Sequence, residues 1–305
     1  MRLAVTGRSG QLALALAEAA PAAGADLVFL ARPVFDLADP ATIAPALAAA
    51  RVDAVISAAA HTAVDRAESE ADLAFAVNAE GPGRLAAAAA ALGLPIVHLS
   101  TDYVFSGDKT EPYVEDDATG PLNVYGASKL EGERRVASAN PDHAILRTSW
   151  VHGPHGRNFV ATMLSLAAKT DRVRVVADQV GRPTATPHLA AAVLAVARSL
   201  VERPGEAQLR GVFHASGSGE TSWAGFAEAI FAGLARRGGP LVAAEPIATA
   251  DWPTPARRPM NSRLAGERLA RVHGLVLPDW RTGLDTVLDR LVGPVAGETD
   301  REEGR

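Results

Sequence analysis

Short apolar runs alternate with longer stretches of helical spacing through the first half of the chain. Runs at 2–6, 26–30, 54–58, 96–100 and 144–147 are bounded by turn residues. Their near-continuous hydrophobicity predicts strands buried on both faces, and the intervening segments are long enough to be crossover helices. The pattern predicts an α/β architecture with a doubly wound parallel sheet. Alanine-rich stretches at 85–92 and 189–200 read as helices, yet charged or glycine-containing segments interrupt each before it could span a bilayer. No membrane helix is expected.

After Trp150 the periodicity loosens, and proline and glycine punctuate the chain at Gly153-Pro154, Gly181-Arg182-Pro183, Pro253 to Pro255 and Arg258-Pro259. Residues 1–153 therefore read as one domain and 154–292 as a smaller, discontinuous one, with a helix near 187–200 and a strand near 211–216 returning to the first sheet. The polar tail at 293–305 is expected to be disordered. With 305 residues, 48% of them hydrophobic and 21% charged, the chain can bury a sizeable core. It has no cysteine, which removes disulfides, thiolate nucleophiles and cysteine-ligated zinc. A formal charge of -5 without a long basic run makes nucleic acid an unexpected partner. The N-terminus runs directly into a strand and a glycine turn, with no secretory pattern, so a cytoplasmic protein is expected.

Gly7-Arg8-Ser9-Gly10-Gln11-Leu12-Ala13 follows the first strand and opens a helix. Backbone N–H groups and the helix dipole at such a place receive a pyrophosphate, so the sheet reads as a Rossmann-type dinucleotide-binding domain. Gly7 and Gly10 permit the tight turn and the close approach. At the end of the second strand, arginine favours a 2′-phosphate and an acid favours a free 2′-hydroxyl. Arg32 and Asp36-Leu37 both stand there. NADPH and NADH thus remain open. Arg32 as a solvated side chain and Asp36 as the cap of a helix beginning near Pro40 are equal rivals.

Tyr125 and Lys129, four apart on a helix, lie on one face. An ammonium beside a phenol stabilises the phenolate and is expected to bring Tyr125 towards working pH. Thr101, at the end of the strand 96–100, is placed to hold a substrate oxygen. The three residues together specify reduction of a ketone to an alcohol.

The chain resembles the dTDP-4-dehydrorhamnose reductase family, which belongs to the extended short-chain dehydrogenases, over most of its length. The resemblance is carried by Gly7-Arg-Ser-Gly10-Gln11-Leu12, by Ala58 to Asp65 and Glu68, by Ser100 to Phe105, by Tyr125-Gly-Ala-Ser-Lys129 and by Arg147-Thr-Ser-Trp150. Further matches are Asp178-Gln179, Arg258-Pro259 with Asn261-Ser262-Arg263, and Leu277 to Arg281. It implies that Gly10, Gln11, Leu12, Asp36, Leu37, Ala60, His61 and Thr62 line the cofactor site. Thr101, Asp102, Tyr125, Lys129 and Trp150 would surround the sugar of a dTDP-ketosugar, with Tyr125 as proton donor. Arg258 and Arg263 are candidates for its diphosphate. Each has a plainer rival: His61 in loop hydrogen bonds, Asp102 orienting neighbours, Trp150 in a core. Some relatives form a magnesium-linked homodimer through glutamates, and Ala15 stands where one of these would fall. An alanine cannot coordinate a cation, so no metal is expected.

Two other readings compete. A nucleotide-sugar 4,6-dehydratase would carry Thr-Asp-Glu at the strand end, where this chain has Thr101-Asp102-Tyr103. A non-catalytic regulatory subunit, like that of methionine adenosyltransferase, would not need the intact Tyr125 and Lys129.

Overall fold

In the computed structural model, which describes residues 1–295, the central sheet is six-stranded and parallel. Its strands are β1 (Arg2–Thr6), β2 (Asp26–Leu30), β3 (Ala54–Ser57), β4 (Ile96–Thr101), β5 (His143–Thr148) and the strand Gly211–His214. The spatial order is β2-β1-β3-β4-β5 followed by Gly211–His214, all pairs parallel. The expected α/β class is borne out. Most of β3, β4 and β5 is fully buried, because helices cover both faces and leave no side of these strands for polar residues to point to water.

On one face, α1 (Gln11–Ala19) and the helix Thr186–Glu202 pack through Ala13, Leu16, Leu189, Val193 and Val196 onto Leu3, Val5, Val97 and Leu99. On the other, α2 (Pro40–Ala50) and the helices Gly81–Ala91 and Val124–Ala139 pack through Ile43, Leu47, Leu85 and Val136 onto Ala4, Val55 and Ile96. Asp39, not Asp36, caps α2: its side chain accepts from the Ala41 N–H at 3.1 Å. Asp36 instead accepts from Ala38 N–H at 3.0 Å within its own turn.

The C-terminal half keeps a separate core, in which Val160, Met163, Phe226, Ile230, Trp280 and Leu284 meet. It contributes short strand pairs that the sequence did not announce. Arg172–Val176 pairs with Ala243–Ile247, and Val180–Gly181 lies between Thr221–Ser222 and Asn261–Ser262. Strands of two residues carry too little periodicity to be read, and in the five-residue pair arginine, glutamate and proline break the apolar run. The expectation for the tail concerns residues that, beyond Val295, lie outside those described.

Candidate active site

Strand order decides where a ligand sits. The chain leaves β1 for β2 on one side and returns to β3 on the other, so the crevice of this sheet opens above the carboxyl ends of β1 and β3. Gly7–Gly10, the loop after β3 and Thr101 at the end of β4 all stand at this edge.

The turn after β1 fits a dinucleotide. Gly7 has φ +79° and its N–H donates to Leu30 O at 2.8 Å, closing the turn against β2. Only glycine adopts that φ without strain. A Cβ on Gly7 would also come within 3.3 Å of Ala59. Gly10 caps α1 without a side chain to offer, faces open space and is exposed together with Arg8 and Ser9. The first-turn N–H groups of α1 are therefore free to receive an anion.

The other cofactor candidates differ in placement. The Thr6 hydroxyl accepts from Ala58 and Ala59 N–H, both at 2.9 Å, and so holds the loop bearing Ala60, His61 and Thr62 against β1. His61 N–H donates to Asn78 Oδ1 at 2.8 Å and its ring bonds Glu70 at 2.9 Å, leaving Nδ1 buried without a partner. Gln11 accepts from Asn158 at 3.0 Å and Leu12 packs on the core. Arg32 is largely solvated, 4.0 Å from Asp36. Leu37 is buried, and a Cβ on Gly81 would lie 2.5 Å from its carbonyl.

The reacting groups come from β4 and the helix Val124–Ala139. That helix starts cleanly because Asn123 accepts from Gly126 N–H at 2.8 Å while Glu68 accepts from Val124 N–H at 2.8 Å. Gly126 sets its depth: a Cβ there would lie 2.2 Å from the Tyr103 carbonyl. Tyr125 thereby meets Tyr103 edge to face, with ring centroids 5.7 Å apart. The Thr101 hydroxyl donates to Asp102 Oδ1 at 2.9 Å, and Asp102 Oδ2 is buried without a partner. Burial pushes Asp102 up to about 6, with the Ser262 and Thr101 hydroxyls pulling the other way. A buried carboxyl oxygen without a partner can accept a further hydrogen bond.

One expectation needs correction. Burial pushes the Tyr125 phenol up to about 12; the Thr101 hydroxyl lowers it and the Asp102 charge raises it further. Lys129 does not bring it down; its amine is engaged with β4, donating to Leu99 O at 2.6 Å and to His98 Nε2 at 3.3 Å. Burial itself draws Lys129 down to about 8, with Glu133 opposing.

Three candidates are drawn elsewhere. Trp150 has φ +48° and stacks on Trp223 with centroids 3.5 Å apart, so one indole face is closed to a sugar. Arg258 makes a two-pronged ion pair with Asp65 at 2.6 and 2.8 Å, on the loop side of the mouth. Arg263 follows the strand Asn261–Ser262, and its side chain donates to Asn261 Oδ1 at 2.9 Å and to Glu220 at 3.1 Å. Ala15 is in the core beneath the sheet face, where its methyl is 2% exposed.

Asn78 escaped sequence reasoning. Fully buried in a wide helical turn at Ala76–Glu80, it donates to His61 O and to Ser128 Oγ, both at 3.0 Å. Ser128 in turn donates to Tyr125 O at 2.8 Å, so one amide bolts the loop after β3 to the helix Val124–Ala139. Its partners lie 17 and 50 residues away, a distance at which no local pattern exists. Two surface hollows, one around Arg84, Glu131 and Arg134 and one around Phe231 and Leu241, share no residue with this constellation.

Residues 1–292 match the family model described as the RmlD substrate binding domain. The chain belongs to that family. A dTDP-4-dehydrorhamnose reductase of Sinorhizobium fredii is 53% identical over 281 residues, 92% of this chain and 94% of the relative. The crystal structure of a dTDP-4-dehydrorhamnose reductase from Clostridium acetobutylicum superposes with a TM-score of 0.88 at 37% identity, covering 95% of this chain and 99% of the other. The Bacillus anthracis reductase, solved in complex with NADP, gives 0.86 at 34% identity over 94% and 98% of the two chains. Membership settles the class: this RmlD-family chain is an NAD(P)H-dependent oxidoreductase.

Proposed function

We propose that this member of the RmlD family reduces the C4 ketone of dTDP-4-dehydro-L-rhamnose to the alcohol of dTDP-L-rhamnose, with NADPH as the preferred donor. The observation that carries the reading is the meeting of Tyr125, Thr101 and the unpaired carboxyl oxygen of Asp102 at the carboxyl edge of β4, beside an open glycine turn. NADPH, when bound, supplies hydride to the ketone carbon. Gly7 and Gly10 would admit its pyrophosphate, and Ala60, His61 and Thr62 would help to hold it. Arg32, solvated at the end of β2 and loosely paired with Asp36, is available to a 2′-phosphate.

Tyr125 gives its phenolic proton to the ketone oxygen as negative charge develops there. The Thr101 hydroxyl, whose one proton goes to Asp102 Oδ1 in the resting site, turns it to that oxygen to align it, and its pull on the Tyr125 phenol supports this closeness. Asp102 accepts from a sugar hydroxyl through its free oxygen. Lys129 keeps a cation behind Tyr125. No glutamate follows Asp102 to remove a proton for water loss, which separates this chemistry from dehydration. The same reading carries a cytoplasmic setting; no helix among the described residues is long and apolar enough to cross a membrane. A homodimer, if it forms, does so without a cation at Ala15.

The test is oxidation of NADPH followed at 340 nm with a panel of dTDP-, UDP- and GDP-ketosugars, with identification of the alcohol formed. Tyr125→Phe is expected to keep cofactor affinity and lose about 10²- to 10⁴-fold in kcat. Turnover equal to the parent's would remove Tyr125 from the role of proton donor.

A further inference from the structure

Beside Lys129, three elements bring polar side chains together in the buried layer between the sheet and the helix Val124–Ala139. On β4, the alternate positions Ile96, His98 and Ser100 turn towards the helix Val124–Ala139, while Val97 and Leu99 face the opposite layer. His98 has no exposed surface. Its Nε2 lies 3.3 Å from Lys129 Nζ, and its Nδ1 lies 3.1 Å from Ser57 Oγ on β3.

The arrangement fixes both protonation and direction. An ammonium has three donors, and β4 takes two of them, one through Leu99 O at 2.6 Å and one through His98. One donor remains for the mouth of the site. The imidazole is neutral: burial first, then the charges of Lys129 and His143, hold it well below its ordinary value. A neutral ring facing an ammonium must present a lone pair at Nε2, so its proton sits on Nδ1 and is donated to Ser57.

We propose that His98 is a positioning residue for Lys129: its Nε2 lone pair, held in that tautomer by Ser57, aims the amine and keeps it protonated. The proposal takes its purpose from the reductase reading, but the geometry stands without it.

The other groups facing Lys129 can be named. Tyr125 and Glu133 lie on its own helix, and Asp102 stands beyond Tyr125. Glu133 is committed elsewhere, to Arg147 at 2.7 and 2.9 Å and to Ser100 at 2.5 Å. From β5, His143 acts on His98. With burial drawing Lys129 down and Glu133 already engaged, the lone pair of His98 is the nearby uncharged acceptor that a side-chain substitution can remove.

The chain has only three lysines, Lys109, Lys129 and Lys169, so the ε carbons of 13C-labelled full-length protein give three resonances to titrate by NMR. Loss of one resonance in Lys129→Met assigns it. In His98→Leu the Lys129 midpoint is expected to fall by about one pH unit, since the ammonium loses an acceptor. His98→Gln, whose amide oxygen takes the place of Nε2, is expected to restore it. Ser57→Ala releases the tautomer and is expected to move the midpoint in the same direction as His98→Leu. A residue that only fills space would lower the melting temperature and leave the midpoint alone, and that result overturns the proposal. Should His98→Leu not fold, Ser57→Ala decides, and a midpoint coincident with the parent's is again fatal. The titration uses no substrate, so a parent that fails to turn over ketosugar refutes the proposed function and not this assignment.

Discussion

Single side chains at this site are governed by the cost of taking charge out of water. Asp102 is the clearest case. Its carboxyl rises from 3.8 to about 6, so the folded chain holds the proton that the unfolded chain gives up. Between about pH 4 and pH 6 the native state binds more protons, and its stability falls as pH rises through that window; the penalty, on the order of 3 kcal/mol, then stays constant above it. Asp102→Asn is expected to abolish this component and to be the more stable protein at pH 7. Melting temperatures of parent and variant at pH 4 and pH 7 measure it, and parallel pH dependence in the two proteins would show that Asp102 ionises without cost. Glu18, held down from 4.5 to about 2 chiefly by Arg290, adds stability that is lost as pH falls through that range, but it does so equally in both proteins and cancels in the comparison. At this scale the sequence was informative about identity and silent about state. Tyr125, Lys129 and Thr101 stood out by type and spacing, but the engagement of Lys129 with β4 and the failure of the expected acidification of Tyr125 did not.

The elements carry these residues to one edge, and close approach between them is controlled by glycines. Gly126 lets the helix Val124–Ala139 touch the Tyr103 carbonyl, and Gly132 lets it touch Asn78, where a Cβ would lie 2.1 Å from the carbonyl oxygen. Backbone cannot yield as a flexible side chain can, so Gly126→Ala must push the helix outward and carry Tyr125 with it. A shift of about 1 Å at the reacting group costs on the order of 10²-fold in rate. The expected result is a kcat reduced about that much with NADPH affinity kept, read by steady-state kinetics and cofactor titration; a kcat within twofold of the parent's would mean the helix has room to spare. The five strands read from the apolar runs are all present, each end within one residue of the expected position. Buried parallel strands are legible because most of their positions are apolar, with polar residues such as His98 and Arg147 only interrupting the run. The short strands of the C-terminal half were not, and neither was Asn78, since a buried amide is recognised by partners brought from elsewhere in the chain.

For the whole molecule, Asp65 and Arg258 span the mouth, 193 residues apart in sequence. Asp65 also accepts from Ala256 N–H at 3.2 Å, and Asn123 at the start of the catalytic helix donates to Arg257 O at 2.7 Å. The segment Ala256–Arg258 is thus strapped to both the cofactor loop and the catalytic helix. Arg258→Ala and Asp65→Ala are each expected to raise KM for the ketosugar several-fold. The double variant is expected to be little worse than either one, giving a coupling of about 1 kcal/mol or more in kcat/KM. Additive effects would separate the two residues, with Arg258 then acting on the ligand alone. Sequence by itself determined the layered α/β class, the glycine turn, and the pairing of phenol and amine on one helix face, because each is a local pattern of period or spacing. Tertiary structure alone decided which arginine the acid at position 65 would hold, that Trp150 would stack on Trp223, and that a histidine in a buried strand would stand behind the lysine. Those are choices among distant groups competing for the same few buried partners, and they exist only once the chain has closed around them.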